Sequence, residues 1–397
     1  MLKRRSTVWN TMLACSLLET GIEPGYVEAI ADMYADLHMH VHLGAGWKSR
    51  SFQVKKGVRQ GDPLSPLIFI AVLRQVMGKC IRKWNRLGRG IDIGTNEDGH
   101  HLMYLAFADD MTLFARSRRA LQQMLNDIRS ELATVGLKLN MDKCVVQCSG
   151  AGSDSTVPIS VGEDKIMKVS AKEGFKVLGT IFTLTGGTER EIAHRISCAW
   201  GKFYELWPIL KRKDTSVHKR LKLFNAVVGR SVLWGCESWT LSRREMRRLR
   251  SVQREMMRRF GAGRRRPDED YIQWIRRATR EAETTANQAG VAGWVQQYLR
   301  SKWRWAGHLA RMVQYRPFSW AWKTTMWRGH QYRESMVLFP EVYRHRPLRT
   351  RPGRWRRWED SLVAFAEQRA WGPWNTMALD KDAWRAATDE FAKKVGI

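Results

Sequence analysis

What the 397 residues lack narrows the field before any motif is read. No apolar run approaches the ~20 residues that a membrane-spanning helix needs, so no membrane is expected among the partners. Cysteine is scarce and scattered. Of the six, only Cys144 and Cys148 lie close together, with no second Cys or His pair near them, which points away from a disulfide framework or a zinc cluster and toward buried structural thiols. Acidic residues are in deficit, 39 against 68 Lys and Arg, and the net charge of +29 calls for a polyanionic partner. Tryptophan is nearly missing from the first half: only Trp9, Trp47 and Trp84 precede Trp200, and 16 of the 19 lie there or beyond. The charge is divided the same way, with 42 Lys/Arg against 19 Asp/Glu in residues 201–397 and 26 against 20 before them. The basic start, Met1 to Arg5, leads into a run broken by Trp9-Asn10-Thr11 and Glu19, so it does not read as a secretion signal. A chain of this length holds two or three domains with cores of their own.

In the near-neutral half, the stretch Met103 to Arg116 sets two apolar runs on either side of Asp109 and Asp110, with no Gly, Pro or Asn at the centre. Such runs predict two short strands and a tight turn. Two adjacent carboxylates at the tip of a buried hairpin are costly, because desolvation and like charge both oppose ionisation. A divalent metal would neutralise them, and hard oxygen ligands suit Mg²⁺. The alternative is an exposed polar turn.

Around it the chain reads mostly as helices. Residues 6–20 and 25–37 predict two, joined at Gly21 to Gly25, and Val41 to Val54 predicts a hairpin around Gly44-Ala45-Gly46. Asp62-Pro63 or Ser65-Pro66 supplies an N-cap with Pro at the first helical position, opening a helix to about Trp84 with Phe69, Leu73, Val76, Cys80 and Trp84 on one face. Arg119 to Val135 turns Leu121, Met124, Leu125, Ile128 and Leu132 inward and stops at Gly136. Ser149 to Ser155 reads as a flexible loop. From Glu189 the period is helical throughout: Glu191 to Leu206, Val217 to Trp234, and Arg243 to Phe260. The last carries Arg243, Arg244, Arg247, Arg248, Arg250, Arg254, Arg258 and Arg259, a charge that favours phosphate contact over a merely solvated face.

Arg59-Gln60-Gly61-Asp62-Pro63-Leu64-Ser65-Pro66, followed by Phe107-Ala108-Asp109-Asp110, resembles the palm of reverse transcriptases of non-LTR, LINE-type retrotransposons. The resemblance implies an α+β fold: a partial right-hand polymerase palm of antiparallel sheet and helices over residues 1–188, a helical thumb over 189–263, and a basic, Trp-rich, mostly helical region over 264–397. It implies RNA-directed DNA polymerase chemistry, a nucleotidyl transfer with Mg²⁺ (or Mn²⁺ in its place) held by Asp109 as principal ligand and Asp110 beside it. The implied partners are an RNA template, a DNA primer and deoxynucleoside triphosphates. Arg59, Gln60, Gly61 and Phe107 become nucleotide- and template-binding positions. Lys143, in the block Gly136 to Lys143, is similar to a Lys proposed to assist the departing pyrophosphate. Phe175-Lys176-Val177-Leu178-Gly179 resembles the primer-grip turn, which points to Leu178 and Gly179, and Leu233 to Trp239 resembles part of the thumb. Backbone contacts to nucleic acid fall to Arg247, Arg248, Arg254 and Arg258.

The family's third carboxylate belongs to an earlier block ending Phe-Asp, and the chain is expected to begin after it and after the fingers. Asp32 and Asp36, the nearest upstream acids, fall within a helix. The resemblance therefore implies a fragment with an incomplete polymerase site. A nucleic-acid-binding protein without turnover is the alternative, and an intron-type maturase the more distant one. Two patterns in the tail stay open. Trp303 to Met312 and Gly353 to Trp358 interleave Arg with Trp, which serves either stacking on nucleic acid or a helical core with Arg outside. His308 reads as a packed histidine.

Overall fold

Twenty-two residues from Ser65 to Arg86 form a helix whose apolar stripe organises the first part of the chain. The computed structural model describes residues 8–35, 37–44, 46–54, 57–92, 101–148, 158–170, 173–184, 188–261, 263–312 and 358–395. These fall into two compact units, one of residues up to Val169 and the other from Ser170 onward. The class is α+β. The strands pair two by two, and among the described residues all pairs but one are antiparallel, the exception being Lys168–Val169 beside Val146–Gln147.

In the first unit, α1 (Val8–Glu19), α2 (Pro24–Ala35), α3 (Ser65–Arg86) and α4 (Arg118–Thr134) share one core. Ile68, Val76, Cys80 and Trp84 of α3 meet Met124, Ile128 and Leu132 of α4 there. Trp84 is fully buried, yet its Nε1–H is satisfied by Asp127 at 3.0 Å, so the indole carries no unpaired donor into the core. Truncating a side chain of this size to Ala costs about 3–5 kcal/mol. Ser117 caps α4 by accepting from the Ala120 N–H, and Gly136 follows its end at φ +73°. The start of α3 differs from expectation. Leu64 is the N-cap and offers no side-chain bond, Pro66 sits inside the first turn, and Asp62 Oδ1 accepts from the Leu64 N–H at 3.0 Å. The carboxylate thus turns the chain just before the helix instead of capping it. The predicted 41–54 hairpin begins earlier, with His38–Met39 paired to Phe52–Gln53 outside His42–Gly44 and Trp47–Lys48.

The second unit is built from α5 (Glu189–Leu210), α6 (Val217–Phe224), α7 (Arg230–Val232), α8 (Arg243–Gly261), α9 (Tyr271–Gln288) and α10 (Trp294–Arg311). Helices Asp360–Gln368 and Thr388–Val395 join the same core instead of forming one of their own. The helix expected from Val217 to Trp234 is interrupted by a π-turn at Asn225–Gly229. There Asn225 Oδ1 accepts from Gln297 Nε2 of α10 at 2.8 Å, and a Cβ on Gly229 would lie 2.8 Å from that same oxygen. Arg220 is buried where helices end. Its guanidinium donates to Leu210 O at 2.7 Å, Phe260 O at 3.0 Å and Thr215 O at 3.0 Å, so it satisfies orphan carbonyls at the C-terminal ends of α5 and α8 together.

Five tryptophans of the tail resolve as core, whereas Trp305, beside Trp303 in the same Arg/Trp run, is exposed. Trp294, Trp303, Trp358, Trp374 and Trp384 are all buried. Trp303 and Trp384 stack face to face, 3.6 Å between centroids and 4° between planes, and each Nε1–H donates to the other's backbone carbonyl, at 2.8 and 2.9 Å. Of the Gly353 to Trp358 run, only Trp358 lies among the described residues; the Ser149 to Ser155 loop lies outside them.

Candidate functional site

Tyr104–Phe107 and Asp110–Leu113 form the expected antiparallel hairpin, in the register Tyr104↔Leu113 to Phe107↔Asp110, closed by Ala108 and Asp109. Its base is anchored: Met103 is buried in the four-helix core, Tyr104, Met111 and Leu113 pack against it, and burial pushes the Tyr104 phenol up, with Arg74 opposing. Its tip is not. Phe107 is 68% exposed, and Asp109 and Asp110 are both exposed. The expectation of a buried acidic pair is therefore corrected: apolar runs mark strands, but here only one end of the hairpin is covered. Desolvation does not force a cation onto this turn. What the turn offers is two neighbouring hard-oxygen donors with no side-chain partner among the described residues. Magnesium is commonly held by one or two carboxylates, with water and substrate phosphate completing the shell. The donor chemistry thus fits Mg²⁺, although no group of three or more metal-binding side chains occurs among the described residues.

Ala108 has φ +52°. An alanine there pays for its Cβ by roughly 1–2 kcal/mol, and such strain persists only where the surroundings impose it.

The other palm positions are arranged unequally. Gly61 takes φ +89° in open space, and Gln60 beside it is exposed. Arg59 instead turns inward: its Nη2 donates to Met33 O at 2.8 Å and its guanidinium lies over the Tyr34 ring at 5.5 Å, tying the turn to α2. Lys143 is exposed on a single 3₁₀ turn, Met141–Lys143.

In the second unit, Phe175–Val177 and Thr180–Phe182 form a second hairpin closed by Leu178 and Gly179. Leu178 has φ +48°, so two of the three described non-glycine residues with positive φ sit in the two candidate turns. This turn is held from several sides. Trp234 Nε1–H donates to Leu178 O at 3.0 Å, Arg195 Nη2 to Gly179 O, and the Ile181 N–H donates to Glu191 Oε2 at 2.6 Å. Glu191 and Arg195 are themselves a buried pair, 2.5 Å apart one helical turn along α5. A Cβ on Gly179 would lie 3.1 Å from Trp234 Nε1, and one on Gly235 2.9 Å from Thr180 Oγ1. The Phe175–Gly179 and Leu233–Trp239 stretches, read separately in the sequence, are thus one constellation. The signal for Trp234 was present in its Trp-Gly step; the buried Glu191–Arg195 pair was invisible, since the same spacing serves a solvated face.

The arginine-rich helix α8 is not uniformly available. Arg247 and Arg248 are exposed, with no carboxylate partner among the described residues. Arg254 pairs with Glu283 at 2.7 Å, and Arg258 donates to Thr279 Oγ1 at 2.9 Å, both on α9. Arg259 lies 5.0 Å over Trp200 and pairs with Glu255. His308 is half-buried beside Trp305.

Residues 7–182 match the reverse transcriptase (RNA-dependent DNA polymerase) family. The Pol polyprotein from the type-2 retrotransposable element R2DM of Drosophila melanogaster is 32% identical over 191 residues, covering 46% of this chain and 17% of that protein. The polyprotein of a type-1 element R2 of Popillia japonica is 26% identical over 250 residues, 62% of this chain and 33% of that protein. A transposon-derived protein of Caenorhabditis elegans is 24% identical over 300 residues, 73% of this chain and 96% of that protein. The chain therefore spans a third or less of these two R2 polyproteins. The last alignment is longer than the stretch 7–182, so it reaches into the second unit.

Proposed function

We propose, from the match of residues 7–182 to the reverse transcriptase family and the likeness to R2 polyproteins, that the chain serves RNA-directed DNA synthesis of the non-LTR retrotransposon kind. Residues 1–188 are read as palm and helices α5 to α8 as thumb. The substrates are an RNA template, a DNA primer and deoxynucleoside triphosphates. The primer 3′ oxygen attacks the α-phosphorus of the incoming nucleotide, the bond to the β,γ-phosphates breaks, and pyrophosphate leaves. Asp109 and Asp110 would hold Mg²⁺, which supplies charge neutralisation at the triphosphate and a more acidic primer hydroxyl. Gln60 and Gly61, exposed on an open turn, can approach the nucleotide or template, and Phe107 can stack beside it. Lys143 is exposed and can meet the departing pyrophosphate. Arg59 acts here by holding that turn on α2. Arg247 and Arg248 are the α8 groups disposed to meet phosphates.

The observation that carries this reading is the Asp109–Asp110 turn, presented on a strained and anchored hairpin with both carboxylates unpartnered. It is tested by primer extension on an RNA template with Mg²⁺, comparing the chain with Asp109→Asn, alongside Mn²⁺ binding followed by electron paramagnetic resonance in an Asp109→Asn/Asp110→Asn variant. Loss of extension and of Mn²⁺ binding supports it; extension or Mn²⁺ binding unchanged by the substitutions refutes it. A second reading, nucleic-acid binding without turnover, is favoured by the two-carboxylate donor set and predicts primer–template binding with no extension.

A further inference from the structure

We propose that His40 and His42 form a binding site for a borderline transition-metal cation such as Zn²⁺, separate from the carboxylate turn. Neither residue enters the reverse transcriptase reading, and the inference stands independently of it.

Three of the ten histidines fall within five residues, at His38, His40 and His42. A step of two along an extended chain returns the side chain to the same face, about 6.5 Å further on. The chain is extended on both sides of this stretch: His38–Met39 pairs with Phe52–Gln53, and His42–Gly44 with Trp47–Lys48. Between the two ladders the Ser49 N–H donates to Val41 O at 2.9 Å, and the Val41 N–H donates to Ser49 Oγ at 2.8 Å. The backbone separating His40 from His42 is therefore held on both its polar groups. Met39 lies opposite Phe52 but His42 opposite Lys48, so the 49–51 side carries one residue more than the side with the histidines. Such an extra residue sharpens the local twist and re-aims side chains. Here the His40 and His42 rings stand 5.1 Å apart between centroids, with 55° between their planes.

That spacing fits a shared cation. Zinc lies about 2 Å from an imidazole nitrogen, hence about 3 Å from the ring centre, and two rings at a tetrahedral angle then lie about 5 Å apart. The rings are tilted instead of stacked, both are exposed, and neither has a hydrogen-bond or ion-pair partner among the described residues. Nitrogen donors decide the class of ion. Imidazole suits Zn²⁺, Cu²⁺ and Ni²⁺, whereas Mg²⁺ and Ca²⁺ take oxygens. The neighbours in register point the same way: Lys48 opposite His42 and Gln53 opposite His38 supply no carboxylate. A hard cation finds no charge there to hold it, and binding falls to the imidazole lone pairs. No three metal-binding side chains converge among the described residues, so water completes the shell.

The test uses the full, untagged chain, stripped of metal, at neutral pH and with Mg²⁺ in excess to fill oxygen sites. Zn²⁺ binding is followed by isothermal titration calorimetry. The donor atoms are read from the electron paramagnetic resonance of bound Cu²⁺, in which nitrogen ligands split the signal. A saturable Zn²⁺ site is expected, with the splitting of two imidazoles. His40→Asn and His42→Asn should each weaken it about 100-fold, the low end of what a tethered second contact adds, and each should remove one nitrogen from the Cu²⁺ signal. His218→Asn, at an exposed histidine on α6, should change neither. No saturable Zn²⁺ binding by the unmodified chain overturns the inference. So does an affinity unchanged in the double variant, which would move the cation to thiols such as exposed Cys15.

Discussion

Replacing Arg220 with Met should open the second unit at the point where two of its helices end. Arg220 is 9% exposed and donates to three backbone carbonyls, those of Leu210, Thr215 and Phe260, at 2.7, 3.0 and 3.0 Å. Hydrogen bonds from a charged donor contribute roughly 1.5–3 kcal/mol each, and a buried acceptor left alone adds its own desolvation penalty. Methionine matches the volume and gains apolar burial, and the Thr215 carbonyl, in the 211–216 connection, can be rehydrated. Two fully orphaned carbonyls remain, for a loss of about 4 kcal/mol. Lysine keeps the charge but replaces the planar fork with a compact head; it can serve one carbonyl well, and should cost about 2 kcal/mol. Urea unfolding followed by tryptophan fluorescence reads this unit selectively, since 16 of the 19 tryptophans lie at Trp200 or beyond. With a slope of roughly 2–3 kcal/mol per molar urea, the Met variant should unfold about 1.5 M earlier and the Lys variant about half as far. A shift below about 0.5 M for Arg220→Met would show that water already serves those carbonyls and that the residue is not a shared cap.

Other outcomes follow from single contacts. Changing Arg247 and Arg248 to Ala should lower the slope of log affinity against log salt by about 1.8 for a duplex, whereas Arg254→Ala should leave the slope unchanged and loosen α8 from α9; the reverse pattern in a salt titration would refute the assignment. The Glu269 carboxyl is held down at about 2, from an ordinary 4.5, chiefly by the hydrogen bond from Arg277. Its contribution is complete above pH 4.5 and is lost as pH falls toward 2, so hydrogen-exchange protection in the first turns of α9 should decline through that window and not in Glu269→Gln. Burial, aided by Glu131 and Asp127, pushes the Cys80 thiol up to about 11, and burial with Glu237 pushes Cys236 up to about 12. Iodoacetamide labelling read by mass spectrometry should therefore modify exposed Cys15 first and spare those two until the chain unfolds; early labelling of Cys236 would contradict its burial.

Periodicity carried most of the fold. The stripes on α3 and α4 are regular enough that Val76, Cys80, Trp84, Met124, Ile128 and Leu132 could be named as core from spacing alone, and all are buried. The acidic hairpin was legible as two strands and a turn, but not its exposure, because an apolar run shows that a strand can be covered and not whether a neighbour is there to cover it. The Arg/Trp pattern of the tail was ambiguous for a related reason. Trp303 is core because Trp384, 81 residues away, lies flat against it, and no local pattern contains that distance. Arg254 and Arg258 belong to the same arginine-rich run as Arg247 and Arg248; what separates the pairs is Glu283 and Thr279 on a different helix.

The Trp303–Trp384 stack also bears on the order in which the chain can mature. The first unit has every residue of its core in hand once Val169 is made. The second cannot close until Trp384, near the very end, has left the ribosome and reached Trp303. At roughly 5–20 residues per second, the first unit is complete some tens of seconds before the second has its last keystone. For the last 81 residues of that interval, Trp303 waits without its partner. A message cut short before the codon for Trp384 would release a protein with its acidic hairpin intact and its aromatic interior open to solvent.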